Sequence, residues 1–357
     1  MTLPLLLPLL FLSNALSCSN FMMEDAYGLS VRTEDTSPPP LTSNGTNWED
    51  YQISLVTSPA TTTSIAFVAF VAMDFGPHTA PLNSSQGIKA GLNIYGLSCD
   101  EQSLSETHFP SVRKNETNID AALLCRYSLE NFENVSSLHA HLSSGEVNFV
   151  APSHDTNNFG HQHWILRDDV GDSLVIEFVD GEMMLHLDGN DGGKTGFGVL
   201  TNSPEYLWQV RNMQLDEWKR SKYGGSEGIP GDWYPDSRFR RLAMIKSKMS
   251  TPSSLQQAVA NAIHVANSVS VPPGSQPGKD MSSATSDHRT EFIVVYDHKN
   301  RAVYWRSVWN QNLARVELSE LRLNVGDKQE VLLVKSREIP WYYDASKLFN
   351  SELNKGR

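Results

Sequence analysis

The chain has 357 residues, with 29 Lys and Arg against 41 Asp and Glu, and its formal net charge is -12. Nucleic-acid binding needs clustered cationic side chains for phosphate contacts, so we do not expect this acidic chain to bind nucleic acid. The three cysteines are too few for a disulfide-stapled scaffold, and the length suits one large domain or two small ones.

Residues 1–17 carry no charged side chain and are rich in leucine, which is typical of the apolar core of a secretory signal. The stretch is too short for a comfortable transmembrane helix, so no stable membrane span is predicted. Ala15 and Ser17 put small residues at the -3 and -1 positions of a cut before Cys18. A bacterial lipoprotein signal also ends before a cysteine, but it usually has Leu at the position of Ala15. We expect residues 1–17 to be removed, leaving residues 18–357 as a single domain.

Four N-glycosylation sequons follow, and together with the signal they favour a eukaryotic secretory route. The acceptor residues are Asn44, Asn83, Asn115 and Asn134. We therefore expect a glycoprotein that is secreted or resides in the lumen of the secretory or lysosomal pathway. In such an oxidising compartment Cys99 and Cys125 could pair, which would leave Cys18 as the odd cysteine.

In chain order, residues 35–63 are dense in Ser, Thr, Pro and Asn and predict an expanded surface loop, and the apolar run 64–75 predicts a buried strand. Apolar periodicity predicts helices over 119–142, 238–248 and 255–267. Further strands are predicted at 174–179, 183–187, 197–201, 291–296, 302–309 and 331–334. Strands at both ends with helices grouped between them indicate an α+β sandwich.

After this cleavage Cys18 would be the N-terminal residue of the chain. A thiol is nucleophilic as thiolate, and it therefore needs a base. A free α-amine titrates at about 7.7–8.0, so a fraction is neutral at pH 7 and can accept the thiol proton directly or through a water. Removal of residues 1–17 would create this pair at Cys18 without a further processing step.

Four separated motifs support that interpretation. From Cys18 the chain reads C-S-N-F-M-M-E-D-A-Y-G-L-S-V-R-T-E-D, and the later segments are G-L-N-I-Y-G-L-S (91–98), G-V-L-T-N-S-P-E-Y-L-W-Q (198–209) and G-I-P-G-D-W-Y-P-D-S-R-F-R-R (228–241). In this order they resemble the motifs of the choloylglycine hydrolase family, which includes penicillin V acylase and conjugated bile salt hydrolases. The resemblance implies a four-layer αββα sandwich of the N-terminal-nucleophile hydrolase type.

It also implies the chemistry: a cysteine hydrolase that cleaves the linear amide C–N bond of an N-acylated small molecule through a thioester on Cys18, with no cofactor. Asn202 would donate to the oxyanion, and Asp35 would orient the α-amine of Cys18. Arg32 and Arg238 would lie near the thiolate, where positive charge favours ionisation. The chain departs from the family pattern at Glu34, where relatives usually have Met.

The second oxyanion donor stays open, because Asn or Tyr in relatives is replaced by the stretch 99–103, in which Gln102 or Ser103 could serve. Two alternative functions also stay open: a binding module of the same fold without turnover, and an N-acylethanolamine or ceramide amidase. Homo-oligomerisation is likewise open. A compact cluster of imidazole and carboxylate groups could bind a metal, but loop histidines more often satisfy hydrogen bonds, so no metal is predicted. Its members are His154, Asp155, His161 and His163.

Overall fold

The computed structural model describes residues 18–36, 52–73, 88–152, 161–188, 196–223, 228–277, 287–336 and 338–345. In chain order the strands are β1 Ser19–Met22, β2 Leu29–Thr36, β3 Gln52–Ser58, β4 Phe67–Met73, β5 Ala90–Asn93, β6 Ser98–Ser103, β7 Thr117–Asp120, β8 Val147–Val150, β9 Gln162–Arg167, β10 Ser173–Val179, β11 Glu182–Asp188, β12 Val199–Leu200, β13 Gln276–Pro277, β14 Asp287–Asp297, β15 Ala302–Ser307, β16 Asn310–Glu317 and β17 Val331–Leu333. The helices are α1 Leu124–Asn131, α2 Val135–Ser144, α3 Tyr206–Tyr223, α4 Pro235–Lys246 and α5 Leu255–Asn267, with short 3-10 turns at Ala121–Leu123 and Leu318–Glu320.

Two antiparallel sheets form the centre of the molecule. The first has the order β12-β1-β2-β14-β15-β16, with β13 paired to β14, and the second has the order β11-β10-β9-β6-β5-β4-β3-β17. The short strands β7 and β8 pair in parallel outside both sheets. Helices α4 and α5 contact the first sheet, while α1 and α2 contact the second. The order of layers is therefore helix, sheet, sheet, helix, as expected.

Strand β14 shows how the sequence builds these layers. Successive side chains of a strand point to opposite faces. Phe292 and Val294 accordingly pack into the apolar cluster between the two sheets, whereas Ile293 and Val295 pack into the cluster that contains α5. A strand buried on both faces reads as a continuous apolar run, which is why residues 291–296 were recognisable from the sequence.

The outer face of the second sheet carries the disulfide. Cys99 on β6 is bonded to Cys125 on α1, with their Cα atoms 5.3 Å apart. A Cβ at Gly91 on the neighbouring strand β5 would lie 2.7 Å from the Cδ1 of Leu129, so glycine is needed for the close approach of α1. The pairing that the sequence left open is thus confirmed, and Cys18 is the free cysteine among the described residues.

Two element predictions need correction. The expanded loop predicted at 35–63 is wrong at both ends, because Asp35 belongs to β2, which ends at Thr36, and Gln52–Ser58 forms β3 against β4; residues 37–51 lie outside the described part of the chain. The helix predicted over 119–142 is interrupted, since α1 ends at Asn131 and Asn134 caps the start of α2 by accepting a hydrogen bond from the backbone of Ser137. Strand 64–75 is confirmed as β4, and the later strand predictions correspond to β10, β11, β12, β14, β15 and β17.

Candidate active site

Cys18 lies at the start of β1, beside the end of β2. The turn between the two strands needs Gly28, whose φ of +66° is in the left-handed region. The register pairs Ser19 with Thr33, which places Cys18 next to Glu34. Strand β12 hydrogen-bonds to the other side of β1 and leads into Thr201 and Asn202. The hairpin and β12 together bring two of the sequence motifs to one end of the first sheet.

The Cys18 thiol is 3% exposed and faces two acceptors. Its Sγ lies 3.8 Å from Oε2 of Glu34 and 3.9 Å from the backbone oxygen of Asp35. Burial and the Glu34 carboxylate raise the pKa of the thiol to about 12, against the opposing effect of Arg32. In the chain that still carries Ser17, the nitrogen of Cys18 is an amide and offers no base, so this thiol stays protonated at neutral pH.

Arg32 is paired with Glu34 rather than with the thiol. Its Nε donates to Oε2 of Glu34 at 3.1 Å, and Nη2 forms an ion pair with the same oxygen. Nη1 donates to the carbonyl of Lys89 at 2.8 Å and lies 3.6 Å from Oδ1 of Asp100. Glu34 stands where the family pattern has Met. Its carboxylate neutralises Arg32 and therefore disfavours the Cys18 thiolate.

Arg238 on α4 ties the nucleophile to the predicted oxyanion donor. Its Nη1 donates to the backbone oxygen of Cys18 and to Oγ of Ser19, both at 2.6 Å. Its Nη2 donates to Oδ1 of Asn202 at 2.8 Å, and Nε donates to the carbonyl of Trp233. Burial lowers the pKa of Arg238 to about 10, although Asp35 opposes that shift, so the guanidinium stays charged at neutral pH.

The Asn202 amide is held from both ends. With Oδ1 accepting from Arg238, Nδ2 must present its two hydrogens on the other side, and one of them is donated to the carbonyl of Ser103 at 2.9 Å. The side chain of Gln209 on α3 donates to the backbone carbonyls of Asn202 and Pro204, fixing the turn before the helix. The amide is therefore oriented before any substrate arrives.

Of the two candidates for a second donor, Gln102 has the more suitable environment. Its side chain is 2% exposed, and neither Nε2 nor Oε1 has a hydrogen-bond partner within the described part of the chain. Asp100, two residues earlier on β6, reaches across to Asn20 of the first sheet, so alternation puts Gln102 on the same inward face. Ser103 contributes its backbone carbonyl to Asn202 instead.

Asp35, near the end of β2, is fully buried. Oδ1 accepts a hydrogen bond from the Thr290 hydroxyl of β14, and Oδ2 accepts one from Thr33 at 3.4 Å. Burial raises the pKa of Asp35 to about 7, while Arg238 acts in the opposite direction. A positive charge close by would favour the ionised carboxylate, and that is the charge a terminal ammonium on Cys18 would supply.

The histidine cluster does not form a metal site over the described residues. His154 and Asp155 lie outside them, and no three His, Cys, Asp or Glu side chains within them are grouped as metal ligands. His163 instead hydrogen-bonds through Nδ1 to Oε1 of Glu177 at 2.9 Å. Although burial opposes it, hydrogen bonding to His163 and His186 lowers the pKa of Glu177 to about 2.

This pair and a second network were not predicted from the sequence. Glu177 accepts the backbone N–H of Tyr206 at 2.9 Å and so anchors the start of α3 just after Asn202. Asn20 on β1 donates to Asp100 at 2.6 Å and accepts from Arg167 at 2.8 Å, which fastens the nucleophile strand to the second sheet. The signal that could have indicated these contacts is the presence of polar and charged residues within strands that are otherwise apolar.

A cavity opens at the other end of the β1–β2 hairpin, away from Cys18. Its walls include Met22, Gly28, Asp188, Phe197 and Lys246. The ammonium of Lys246 pairs with the carboxylate of Glu24 there. The cavity contains none of the residues predicted for catalysis.

Comparisons with known proteins identify the family and the fold. Residues 50–332 match the linear amide C–N hydrolases, choloylglycine hydrolase family. The chain therefore belongs to that family. The matched range begins after Cys18, Arg32 and Asp35, so the assignment of these three residues depends on the first motif and on their geometry.

Among curated proteins, the chain is 26% identical over 261 residues to the bile salt hydrolase/transferase of Clostridium perfringens, covering 66% of this chain and 76% of that protein. It is 27% identical over 249 residues to the penicillin V acylase of Pectobacterium atrosepticum, covering 65% of this chain and 62% of that protein. The matched segment thus spans less than two thirds of the second relative.

Solved structures give the same fold. A variant of the conjugated bile acid hydrolase of Clostridium perfringens superposes with a TM-score of 0.67 at 20% identity, covering 88% of this chain and 96% of that one. The penicillin V acylase of Agrobacterium tumefaciens gives a TM-score of 0.65 at 20% identity, covering 88% and 91%. The αββα fold of N-terminal-nucleophile hydrolases is confirmed. Among the described residues, no helix has the length and apolarity needed to cross a bilayer.

Proposed function

We propose that this chain is the precursor of a secreted cysteine amidohydrolase that is activated when cleavage before Cys18 exposes the nucleophile and its α-amine. The observation that carries the proposal is the network in which one guanidinium, that of Arg238, holds both the backbone of Cys18 and the amide of Asn202. A nucleophile and an oxyanion donor fixed to each other are what acyl transfer requires.

In the proposed reaction the neutral α-amine takes the thiol proton, and the thiolate attacks the carbonyl carbon of an N-acyl amide. Asn202, and Gln102 as the second donor, hydrogen-bond the oxygen that becomes negative. The C–N bond then breaks as the α-ammonium returns its proton to the leaving amine, giving a thioester on Cys18. The same amine next takes a proton from water as the water oxygen attacks the thioester carbon. The C–S bond breaks, the acid is released, and the α-ammonium returns its proton to the Cys18 thiolate.

Asp35 supports the α-amine in this scheme. Its carboxyl group is buried and acts electrostatically on the Cys18 thiol, and in the proposed mature enzyme it would face the terminal nitrogen. A carboxylate at that position orients the amine and stabilises its protonated form, which is the acid needed when the leaving group departs.

Two measurements test the proposal. The first is the N-terminal residue of the protein secreted from eukaryotic cells, which we expect to be an unmodified Cys18; a chain that begins at Ser19 or carries a blocked Cys18 amine would lack the proposed base.

Asn115 and Asn134 are the described sequon residues, and glycans on the secreted protein would support the proposed route.

The second is hydrolysis of a panel of N-acyl amides that includes penicillin V and glycine- and taurine-conjugated bile salts. The native protein is expected to release amine from at least one member, and Cys18→Ser is expected to release none. Equal turnover by Cys18→Ser would rule out the thioester mechanism. Binding without turnover by the native protein would favour the alternative of a binding module.

A further inference from the structure

The carboxyl group of Asp35 lies between two threonine hydroxyl groups, one from its own strand and one from β14. Thr290 of β14 donates to Oδ1, and Thr33 of β2 donates to Oδ2 at 3.4 Å. All three side chains are buried. Each oxygen of the carboxyl group therefore has a hydroxyl donor of its own.

Backbone N–H groups fix the direction of both hydroxyls. Oγ1 of Thr290 accepts the N–H of Val271 at 2.8 Å, and Oγ1 of Thr33 accepts the N–H of Ser19 at 3.0 Å. A hydroxyl group has one hydrogen, and because an N–H is already directed at its oxygen, that hydrogen is left for a second partner. Both threonines are thus set as donors to Asp35. Hydrogen bonds to the ionised form of a carboxyl group favour that form.

Thr290 reaches Asp35 because strand β14 contains a β-bulge. Phe292 pairs with Glu34 of β2. Two positions earlier, Thr290 pairs with the next residue of β2, which is Asp35, so Glu291 is the extra residue of the bulge. A regular ladder would instead place Glu291 opposite Asp35, on the same face of the sheet. The two carboxylates would then repel each other, and the ionised form of Asp35 would be disfavoured.

Glu291 has cationic partners of its own. Its Oε1 accepts a hydrogen bond from Nε of Arg289 at 2.7 Å, and Nη2 of the same arginine also lies 2.7 Å from it. Lys335 forms an ion pair with the other carboxylate oxygen. Bulges are common next to active sites, where they re-aim a side chain. Here the bulge leaves a buried carboxylate with its cations and puts a hydroxyl donor opposite Asp35.

The other groups that act on Asp35 belong to the site already described. Burial disfavours its ionised form, Arg238 of α4 favours that form, and Glu34 of β2 opposes it. From β1, the Cys18 thiol is itself affected by the charge of Asp35. Because β1 and β2 are antiparallel, the nitrogen of Cys18 is directed towards the end of β2 that holds Asp35.

Building on the proposed hydrolysis at Cys18, we infer that Thr290 is a positioning residue for Asp35 and that the bulge in β14 serves to place it there. With Thr33 as its counterpart, Thr290 keeps the carboxylate ionised and oriented for the α-amine of the mature chain. Neither hydroxyl group takes part in the transfer of the acyl group.

Titration of Asp35 tests the inference without any need for turnover. The secreted protein is labelled with ¹³C at the aspartate side-chain carboxyl carbon, and the Asp35 signal is identified by its absence from Asp35→Asn. Thr290→Val keeps the shape of the side chain and removes the donor, so the pKa of Asp35 should rise by about 1, a tenfold change in the protonation equilibrium. Thr290→Ser retains the hydroxyl and should titrate close to the native protein. Thr290→Ala, which removes the same donor, is the second variant.

Thr57→Val is the matched control. The Thr57 hydroxyl, on β3 of the second sheet, accepts the N–H of Glu330 at 2.7 Å and is also buried, so its loss should leave the pKa of Asp35 unchanged. An Asp35 pKa that is the same in the native protein and in Thr290→Val would overturn the inference. So would equal changes in Thr290→Val and Thr57→Val.

A pH profile connects this titration to turnover. If Asp35 has to be ionised, kcat/KM falls as the pH decreases through its pKa, and in Thr290→Val this fall should begin at a pH about 1 higher, with KM at the plateau unchanged. A shifted titration with an unshifted profile would overturn the role of Thr290 in the reaction. If the native protein hydrolyses no amide while Asp35 titrates as expected, the proposed function fails and the effect of Thr290 on Asp35 stands.

Discussion

The two cysteine regions of the molecule lie on facing sheets and differ in kind. Cys99 and Cys125 are bonded to each other inside an apolar cluster between the second sheet and its helices. Cys18 is reduced and surrounded by charged groups, with Glu34 in contact with its thiol and Arg238 on its backbone. All three cysteines are buried, so burial alone does not separate the bonded pair from the proposed nucleophile, whereas the charged groups beside Cys18 do.

The largest expected effect concerns the site around Cys18. Asn202→Ala removes the proposed donor to the oxyanion, so kcat should fall by about 10² to 10³-fold with little change in KM. The measurement is steady-state hydrolysis of whichever amide the native protein cleaves best. Thermal unfolding of the variant serves as the control for folding, and a kcat within a factor of two of the native value would contradict the assignment.

Gln102 should behave similarly if it is the second donor. We expect Gln102→Ala to lower kcat by about 10²-fold. Ser103→Ala is the matched comparison, because only the backbone carbonyl of Ser103 contacts Asn202 and the variant should keep nearly full activity. The reverse order of the two effects would assign the donor to Ser103.

The disulfide region should respond in stability and not in catalysis. Cys125→Ser opens a bridge between residues 26 apart and should lower the free energy of unfolding by about 3 kcal/mol. Urea denaturation measures this, and Cys99→Ser should lose a similar amount. The value of kcat should stay unchanged in both variants, and a large loss of kcat at full folding would end the distinction between the two regions.

The smallest expected effect concerns the charge of Glu34 beside the Cys18 thiol. The Glu34 carboxylate raises the pKa of the Cys18 thiol, so Glu34→Gln lowers it and increases the thiolate fraction at any pH below that pKa. Alkylation of Cys18 by iodoacetamide at pH 8 should become about tenfold faster, which is the change that 1.4 kcal/mol produces. Glu101 pairs with Lys89, so Glu101→Gln should change the rate of Cys18 alkylation much less. An unchanged rate in Glu34→Gln would show that the carboxylate does not control the thiol.

Much of this molecule could be predicted from its sequence, for identifiable reasons. Strands buried on both faces, such as β4 and β14, appear as continuous apolar runs, and the capped helix α5 was predicted with its observed bounds. The motifs also indicated which residues gather around Cys18, and the structure brings Cys18, Asn202 and Arg238 into one network.

The missed elements are those whose stabilising contacts are polar or distant in sequence. Helix α3 begins where Glu177, 29 residues earlier, accepts the N–H of Tyr206, and it exposes Trp208 and Trp218, so its apolar periodicity is weak. Strand β3 was hidden in a segment rich in Ser and Thr, and it is stabilised by pairing with β4 and β17. The effect of Glu34 on Cys18 required the geometry of both strands.

The single guanidinium of Arg238 has a consequence for the energetics of turnover. Because it joins the backbone of Cys18 to the side chain of Asn202, the spacing between the proposed nucleophile and the proposed oxyanion donor is set during folding. In the proposed reaction these groups would need little reorientation. The free-energy cost of orienting them is met during folding and is not incurred again at each turnover.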